Sequence, residues 1–201
     1  DLGAVGEDND YGHGLINAYE AVLAVMSGYG TVEGTLTSDL TGLPIAGALV
    51  EVVGESRFVN TDAAGTYSMS LPADNYTLHY SAFGYSATDR AVVVPEDGSV
   101  TQNVVLAALP TAVLSGYVYD EATSAPLAGA TVGTSSYDLP SVSTNGSGFY
   151  TLNVPVGYTY TFKASYAGYG LDSWTVAFNS AQSHNFYLPE LSIETFESGD
   201  F

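Results

Sequence analysis

Three sets of residues in this 201-residue chain have the types and spacing to do chemistry: three histidines, an acidic run near the start, and a closely spaced tyrosine pair. A hydrolytic triad needs a nucleophile, a base within hydrogen-bond reach and an acid that orients the base. His13 lies between Gly12 and Gly14, His79 alternates with Leu78 and Tyr80 and so should point to solvent, and His184 stands near a strand start. None has a glycine-framed serine beside it of the kind that builds a nucleophile elbow. No catalytic residue is expected in this chain.

Glu7, Asp8 and Asp10 offer the oxygen ligands that Ca²⁺ takes. A twelve-residue calcium loop beginning at Asp8 fails, because its sixth position is His13 instead of glycine and its twelfth is Tyr19 instead of glutamate. A looser calcium site at these three residues is one reading. The other is acidity at the start of a helix, which suits the macrodipole. Asp62, Glu96, Asp97, Asp120 and Glu121 fall where turns are expected, and turn chemistry accounts for them without a metal. Tyr117 and Tyr119 flank Val118 and should share the outer face of one strand, where two rings at i, i+2 can stack on a sugar or grip an extended peptide. Packing against a neighbouring element is the competing use of the pair. Trp174 shares a face with Val176 and Phe178 and reads as core or rim.

Charge narrows the partners. Three Lys plus Arg face 22 Asp plus Glu, a net charge of −19, and the only cations are Arg57, Arg90 and Lys163. Nucleic acid, which needs clustered basic residues, is excluded as a partner, and an anionic membrane surface would repel the chain. Cysteine is absent, so disulfides and thiol chemistry are excluded. No stretch approaches the ~20 apolar residues of a membrane helix, so no membrane insertion is expected. Hydrophobic residues make up 46% of the chain, enough to build packed cores.

These residues must be carried by β structure. One helix is expected, over roughly 14–26, from the spacing of Leu15, Ile16, Ala18, Tyr19, Val22, Leu23 and Met26 ahead of Gly28. From Thr31 onward the pattern is period-two alternation broken by Gly, Pro, Asp and Asn turns. An internal repeat organises it. Gly34 to Val50 (GTLTSDLTGLPIAGALV) aligns with Gly116 to Val132 (GYVYDEATSAPLAGATV), and Thr61 to Tyr67 (TDAAGTY) with Thr144 to Tyr150 (TNGSGFY). Positions apolar in both copies should face inward: Leu36/Val118, Val50/Val132, Tyr67/Tyr150, Met69/Leu152, Leu71/Val154, Tyr76/Tyr160, Leu78/Phe162, Val92/Val176, Val104/Phe186 and Leu106/Leu188. The expected fold is all-β: two tandem seven-stranded antiparallel β-sandwiches with one N-terminal α-helix. Leu109-Pro110-Thr111 is the linker, short and stiffened by proline, and should restrict the relative orientation of the two sandwiches.

The opening G-x-V/L, then P-x-A-G-A-x-V, T-D/N-x-x-G-x-Y, a Leu/Val-Pro turn and a late Gly-Tyr together resemble the carboxypeptidase regulatory-like domain, a transthyretin-like sandwich, over residues 31–109 and again over 113–188. Residues 1–30, through the string Asp8-Asn9-Asp10-Tyr11-Gly12-His13-Gly14-Leu15-Ile16-Asn17-Ala18, resemble the C-terminal end of a subtilisin-like peptidase domain. That family's catalytic motifs would lie upstream of Asp1. Residues 189–201 resemble the start of a further module, with a linker end as the other reading. The resemblance implies an extracellular, non-catalytic accessory region of a secreted serine peptidase. It would act as a spacer and stabilising module, or alternatively as a module binding extracellular protein or polysaccharide. Its first partner would be the parent peptidase's catalytic domain.

Overall fold

The structure is a computed structural model, and it describes residues 28–191. The helix expected over 14–26, the acidic residues Glu7, Asp8 and Asp10, His13, and residues 192–201 lie outside the described residues. The chain divides between Ala107 and Ala108 into two compact units.

The first unit contains β1 (Tyr29–Ser38), β2 (Leu49–Val52), β3 (Phe58–Asn60), β4 (Thr66–Pro72), β5 (Asn75–Ser81), β6 (Thr88–Val93), β7 (Ser99–Thr101) and β8 (Val104–Leu106). One sheet has the order β4-β1-β7, with β8 also on β1, and the other has the order β3-β2-β5-β6. The second unit repeats this plan with β9 (Thr111–Asp120), β10 (Thr131–Thr134), β11 (Val142–Ser143), β12 (Phe149–Pro155), β13 (Tyr158–Ser165), β14 (Asp172–Phe178), β15 (Gln182–Ser183) and β16 (Phe186–Leu188). Its sheets run β12-β9-β15, with β16 also on β9, and β11-β10-β13-β14.

Alternation sets the inward faces. Of the ten paired positions expected to be apolar core, all are buried in both units except Tyr76 and Val176, which are half-buried. Strand direction differs from the wholly antiparallel expectation at one place in each unit. β1 runs parallel to both β7 and β8, and β9 runs parallel to both β15 and β16. The closing edge is also split into two short segments, and each unit has eight strand segments where seven strands were expected. The physical reason is that period-two alternation fixes which side chains face inward but carries no information on the direction of a partner far away in sequence.

The split has a common cause in both units. Gln102 N–H donates to Glu33 O at 2.7 Å, and Thr35 N–H donates to Asn103 Oδ1 at 2.9 Å. In the second unit His184 N–H donates to Ser115 O at 2.9 Å, and Tyr117 N–H donates to Asn185 Oδ1 at 3.0 Å. A side-chain amide thus replaces one rung of the ladder. The closing strand there presses so close to the first that a Cβ on Gly34 would overlap the Gln102 carbonyl, and one on Gly116 the His184 carbonyl. This close approach explains the glycine of the opening G-x-V/L motif.

A second repeated device ties the remaining motifs together. Thr61 Oγ1 donates to Ile45 O at 2.6 Å and accepts from Ala48 N–H at 2.9 Å. Thr144 does the same with Leu127 O and Ala130 N–H, again at 2.6 and 2.9 Å. The threonine of T-D/N-x-x-G-x-Y therefore pins the P-x-A-G-A loop. Among the described residues, no buried side-chain nitrogen or oxygen lacks a hydrogen-bond partner.

Candidate functional site

The outer face of the sheet containing the first strand differs in character between the two units. In the first unit, Thr66, Thr35 and Asn103 lie abreast across β4, β1 and the β7–β8 junction, and Ser68, Glu33 and Thr101 form the next rank. These residues line a cleft of about 700 Å³, with Val59, Asn60 and Asp62 on one rim. The Asp62 carboxylate accepts from Ala64 N–H, Thr66 N–H and Thr66 Oγ1. The Thr66 hydroxyl bond is the largest influence holding its carboxyl below the usual range.

In the second unit, at the equivalent positions, Tyr117 replaces Thr35 and Phe149 replaces Thr66. Tyr117 stacks on Tyr119 with centroids 5.8 Å apart and an interplanar angle of 19°, and meets Phe149 edge-on at 5.2 Å. Tyr119 in turn stacks on Tyr187 at 5.6 Å. The sequence-expected pair thus forms the centre of a four-ring ladder across β12, β9 and β16. The faces of Tyr117 and Tyr119 lie largely against neighbouring rings. Tyr117 at 37% and Tyr187 at 45% are the more exposed members.

Two of the three histidines lie among the described residues. His79 Nδ1 lies 2.6 Å from Asp89 Oδ1, on the outer face of the other sheet in the first unit. His184 lies flat against Trp174, with centroids 4.2 Å apart and planes at 2°, and meets Phe186 edge-on at 4.8 Å. Burial is the main cause lowering the His184 pKa below its ordinary value, and Asp172 opposes that shift. No serine or threonine hydroxyl among the described residues is hydrogen-bonded to either imidazole. Nor do any three His, Asp or Glu side chains among them stand close enough to hold a metal.

Sequence reasoning missed two contacts and one surface. Trp174 is half-buried, and its histidine partner sits on the other sheet, so the ring pair spans the sandwich edge. Asp120 does more than make a turn. It is buried and accepts from Ala122 N–H, Thr123 N–H and the Tyr169 hydroxyl at 2.8, 2.8 and 2.9 Å. The Thr123 amide first, then the Tyr169 hydroxyl, hold its carboxyl below the usual range. The cleft of the first unit left only a faint trace in sequence, as alternating Ser, Thr and Glu on β1 and β4.

Each unit is a self-contained β-sandwich with a turn framework held by repeated Thr, Asp/Asn and Gly positions. Residues 31–107 match the model of the carboxypeptidase regulatory-like domain, and residues 114–197 match the model of the CarboxypepD_reg-like domain. The chain therefore carries two tandem carboxypeptidase regulatory-like domains. It is 30% identical over 131 residues to bacillopeptidase F of Bacillus subtilis (strain 168), a stretch covering 64% of this chain and 9% of that protein. Similar solved structures include a shaft pilin, SpaA, of Lactobacillus rhamnosus GG, at 16% identity and a TM-score of 0.43 over 82% of this chain and 99% of that one. The TIE protein of Bacillus anthracis is similar at 16% identity and a TM-score of 0.40, over 82% of this chain and 34% of that one.

Proposed function

We propose that this region is a non-catalytic accessory part of a secreted or cell-surface subtilisin-like serine peptidase, serving as a spacer and stabilising module. The observation that carries this reading is the likeness to bacillopeptidase F, which runs over a longer stretch than either domain match alone. The domain chemistry agrees with it: Thr61, Thr144, Asp62 and Asp120 are used to fasten turns and strands. In this reading the parent's catalytic residues lie upstream, and the parent's mechanism would be serine-nucleophile acyl transfer. The test compares the parent peptidase with and without residues 31–188. The purified 201-residue chain should not hydrolyse casein. Deletion should leave kcat on a short peptide substrate unchanged while shortening the half-life of the peptidase on heating. A deletion that abolishes turnover of the short peptide, with the catalytic domain still folded, would overturn the reading.

A second reading, a binding module that brings the peptidase to extracellular protein or polysaccharide, is favoured by the exposed row of Val113, Tyr117 and Tyr187. Tyr117 and Tyr119 would then contact the partner through ring edges and hydroxyls. Replacing both by alanine should abolish retention of the chain on insoluble protein or polysaccharide, and unchanged retention would remove these two residues from the reading.

A further inference from the structure

We propose that the cleft on the first domain binds a neutral saccharide chain. The proposal goes beyond the accessory reading and does not involve Tyr117 or Tyr119.

The cleft has the volume of a ligand site, within the range of about 300–1,000 Å³. Its floor is a grid of side chains on adjacent strands, which lie about 4.8 Å apart. Thr66, Thr35 and Asn103 form one rank, and Ser68, Glu33 and Thr101 the other. Several of these groups are unused within the described chain: the Glu33 carboxylate, the hydroxyls of Thr35, Ser68 and Thr101, and the Asn103 Nδ2. Asn103 spends only its Oδ1, on Thr35 N–H. The grid thus offers an acceptor-only carboxylate, three hydroxyls that both donate and accept, and a donor-only amide.

This inventory selects a ligand class. No Lys or Arg lines the cleft, so phosphate, sulfate and uronate have no counter-charge there. Val59 is its one aliphatic side chain, and Tyr67 is buried beneath, so a lipid or a large aromatic would find too little apolar surface. An added peptide strand would need the main-chain edge of β4, whereas the grid spans three strands and offers side chains. Vicinal hydroxyls, each donor and acceptor, match the grid. One carboxylate can accept from two neighbouring sugar hydroxyls, and the amide can donate to a third oxygen.

The second domain supplies an internal comparison. It has the same strand framework and the same asparagine rung, but Tyr117 and Phe149 fill the place that Thr35 and Thr66 leave open. The double substitution Thr35→Tyr with Thr66→Phe copies that filled surface into the first domain.

The test titrates the 201-residue chain with four neutral hexaoses, β-1,4-glucan, β-1,4-linked N-acetylglucosamine, α-1,4-glucan and β-1,4-mannan, at up to about 10 mM, followed by calorimetry. Reduced, carboxymethylated lactalbumin serves as the unfolded-polypeptide arm. At least one hexaose should bind with a Kd between about 10 μM and 1 mM. The filled-cleft variant should lose binding at least about tenfold, and Glu33→Gln and Ser68→Ala should each weaken it about three- to tenfold. The two single variants keep the test decisive if the double variant does not fold. No binding of any of the four hexaoses overturns the proposal. So does binding that none of these variants weakens, or binding of lactalbumin alone that the variants abolish, which would assign the cleft to polypeptide. Peptidase stability in the deletion experiment is a separate readout, so this proposal and the accessory reading can fail independently.

Discussion

One threonine does the work of a fastening at the turn region of each unit, and its hydroxyl is the first group to test. Thr61 and Thr144 are buried, and each both donates and accepts across a gap between a loop and a strand. Thr144→Val preserves shape and leaves Leu127 O and Ala130 N–H without the hydroxyl. A buried group stripped of its partner costs about 1–3 kcal/mol, so with two such groups the second domain should lose about 2–6 kcal/mol, seen as a lower midpoint in urea denaturation with unchanged m. The acidic and imidazole groups give a pH dependence of defined sign. Asp62 and Asp120 have folded pKa values below their ordinary ones, so their contribution is present above the unfolded value, near 4, and is lost as pH falls through the folded values. His184 is also lowered, so its neutral form is favoured in the folded state, and stability falls as pH drops below about 6.5 toward its folded pKa. Thermal unfolding should therefore show declining stability on acidification in two stages. Asp120→Asn should flatten part of the more acidic stage, and an unchanged profile in that variant would contradict the role given to Asp120.

Among the elements, the closing strand of each unit is the informative one. β15 and β16 hold the second domain shut with five register pairs to β9, a glycine beneath them and rings above. Gly116→Ala places a methyl group into the His184 carbonyl, which is main chain and cannot swing away. The strand must shift, and the bond from the Tyr150 hydroxyl to His184 O, 2.9 Å long, goes with it. Overpacking of this kind costs about 1–3 kcal/mol, and loss of near-ultraviolet circular dichroism from the ring cluster would report the shift. The ring ladder predicts an asymmetry between the units. Tyr119→Ala breaks two stacked contacts, each worth about 0.5–1.5 kcal/mol, and should destabilise the second domain by about 1–3 kcal/mol. The equivalent change in the first domain, Thr37→Ala, lies on a strand face with no ring partner among the described residues and should cost under about 0.5 kcal/mol. Equal losses at the two positions would remove the ladder's structural role.

At the scale of the whole chain, a net charge of −19 over 201 residues means that the folded form holds many like charges together. Of the two acid–base pairs within 4.0 Å among the described residues, Arg57 with Glu55 at 3.5 Å and His79 with Asp89 at 2.6 Å, only the first involves a permanent cation. Screening should therefore stabilise the protein. The melting temperature should rise as salt increases from about 10 mM to about 0.5 M, where the Debye length falls from about 30 Å to under 10 Å. A flat or falling curve would show that the acidic groups are too dispersed to repel. The same excess of carboxylates agrees with the absence of basic lining in the first-domain cleft and directs its proposed ligand class toward neutral molecules.

What the sequence alone determined was local and repeated. The self-alignment of Gly34–Val50 on Gly116–Val132 set two copies of one unit, and period-two alternation placed every one of the ten paired positions inward, with only Tyr76 and Val176 half-buried, because a strand's inward face is decided by its own side chains. The tyrosine pair was legible for the same reason: residues two apart on a strand share a face. Tertiary structure alone decided what depends on distant neighbours. The parallel course of the first and last strands, the 68-residue reach of Asn103 to Thr35 and the Asp120–Tyr169 bond join segments far apart in the chain, and the flat stacking of Trp174 on His184 joins two different sheets. The cleft itself is of this kind. Its threonines and its serine are unremarkable one by one, and only the register of three strands sets them beside Glu33 and Asn103, with the hydroxyls of Thr35, Ser68 and Thr101 unbonded among the described residues.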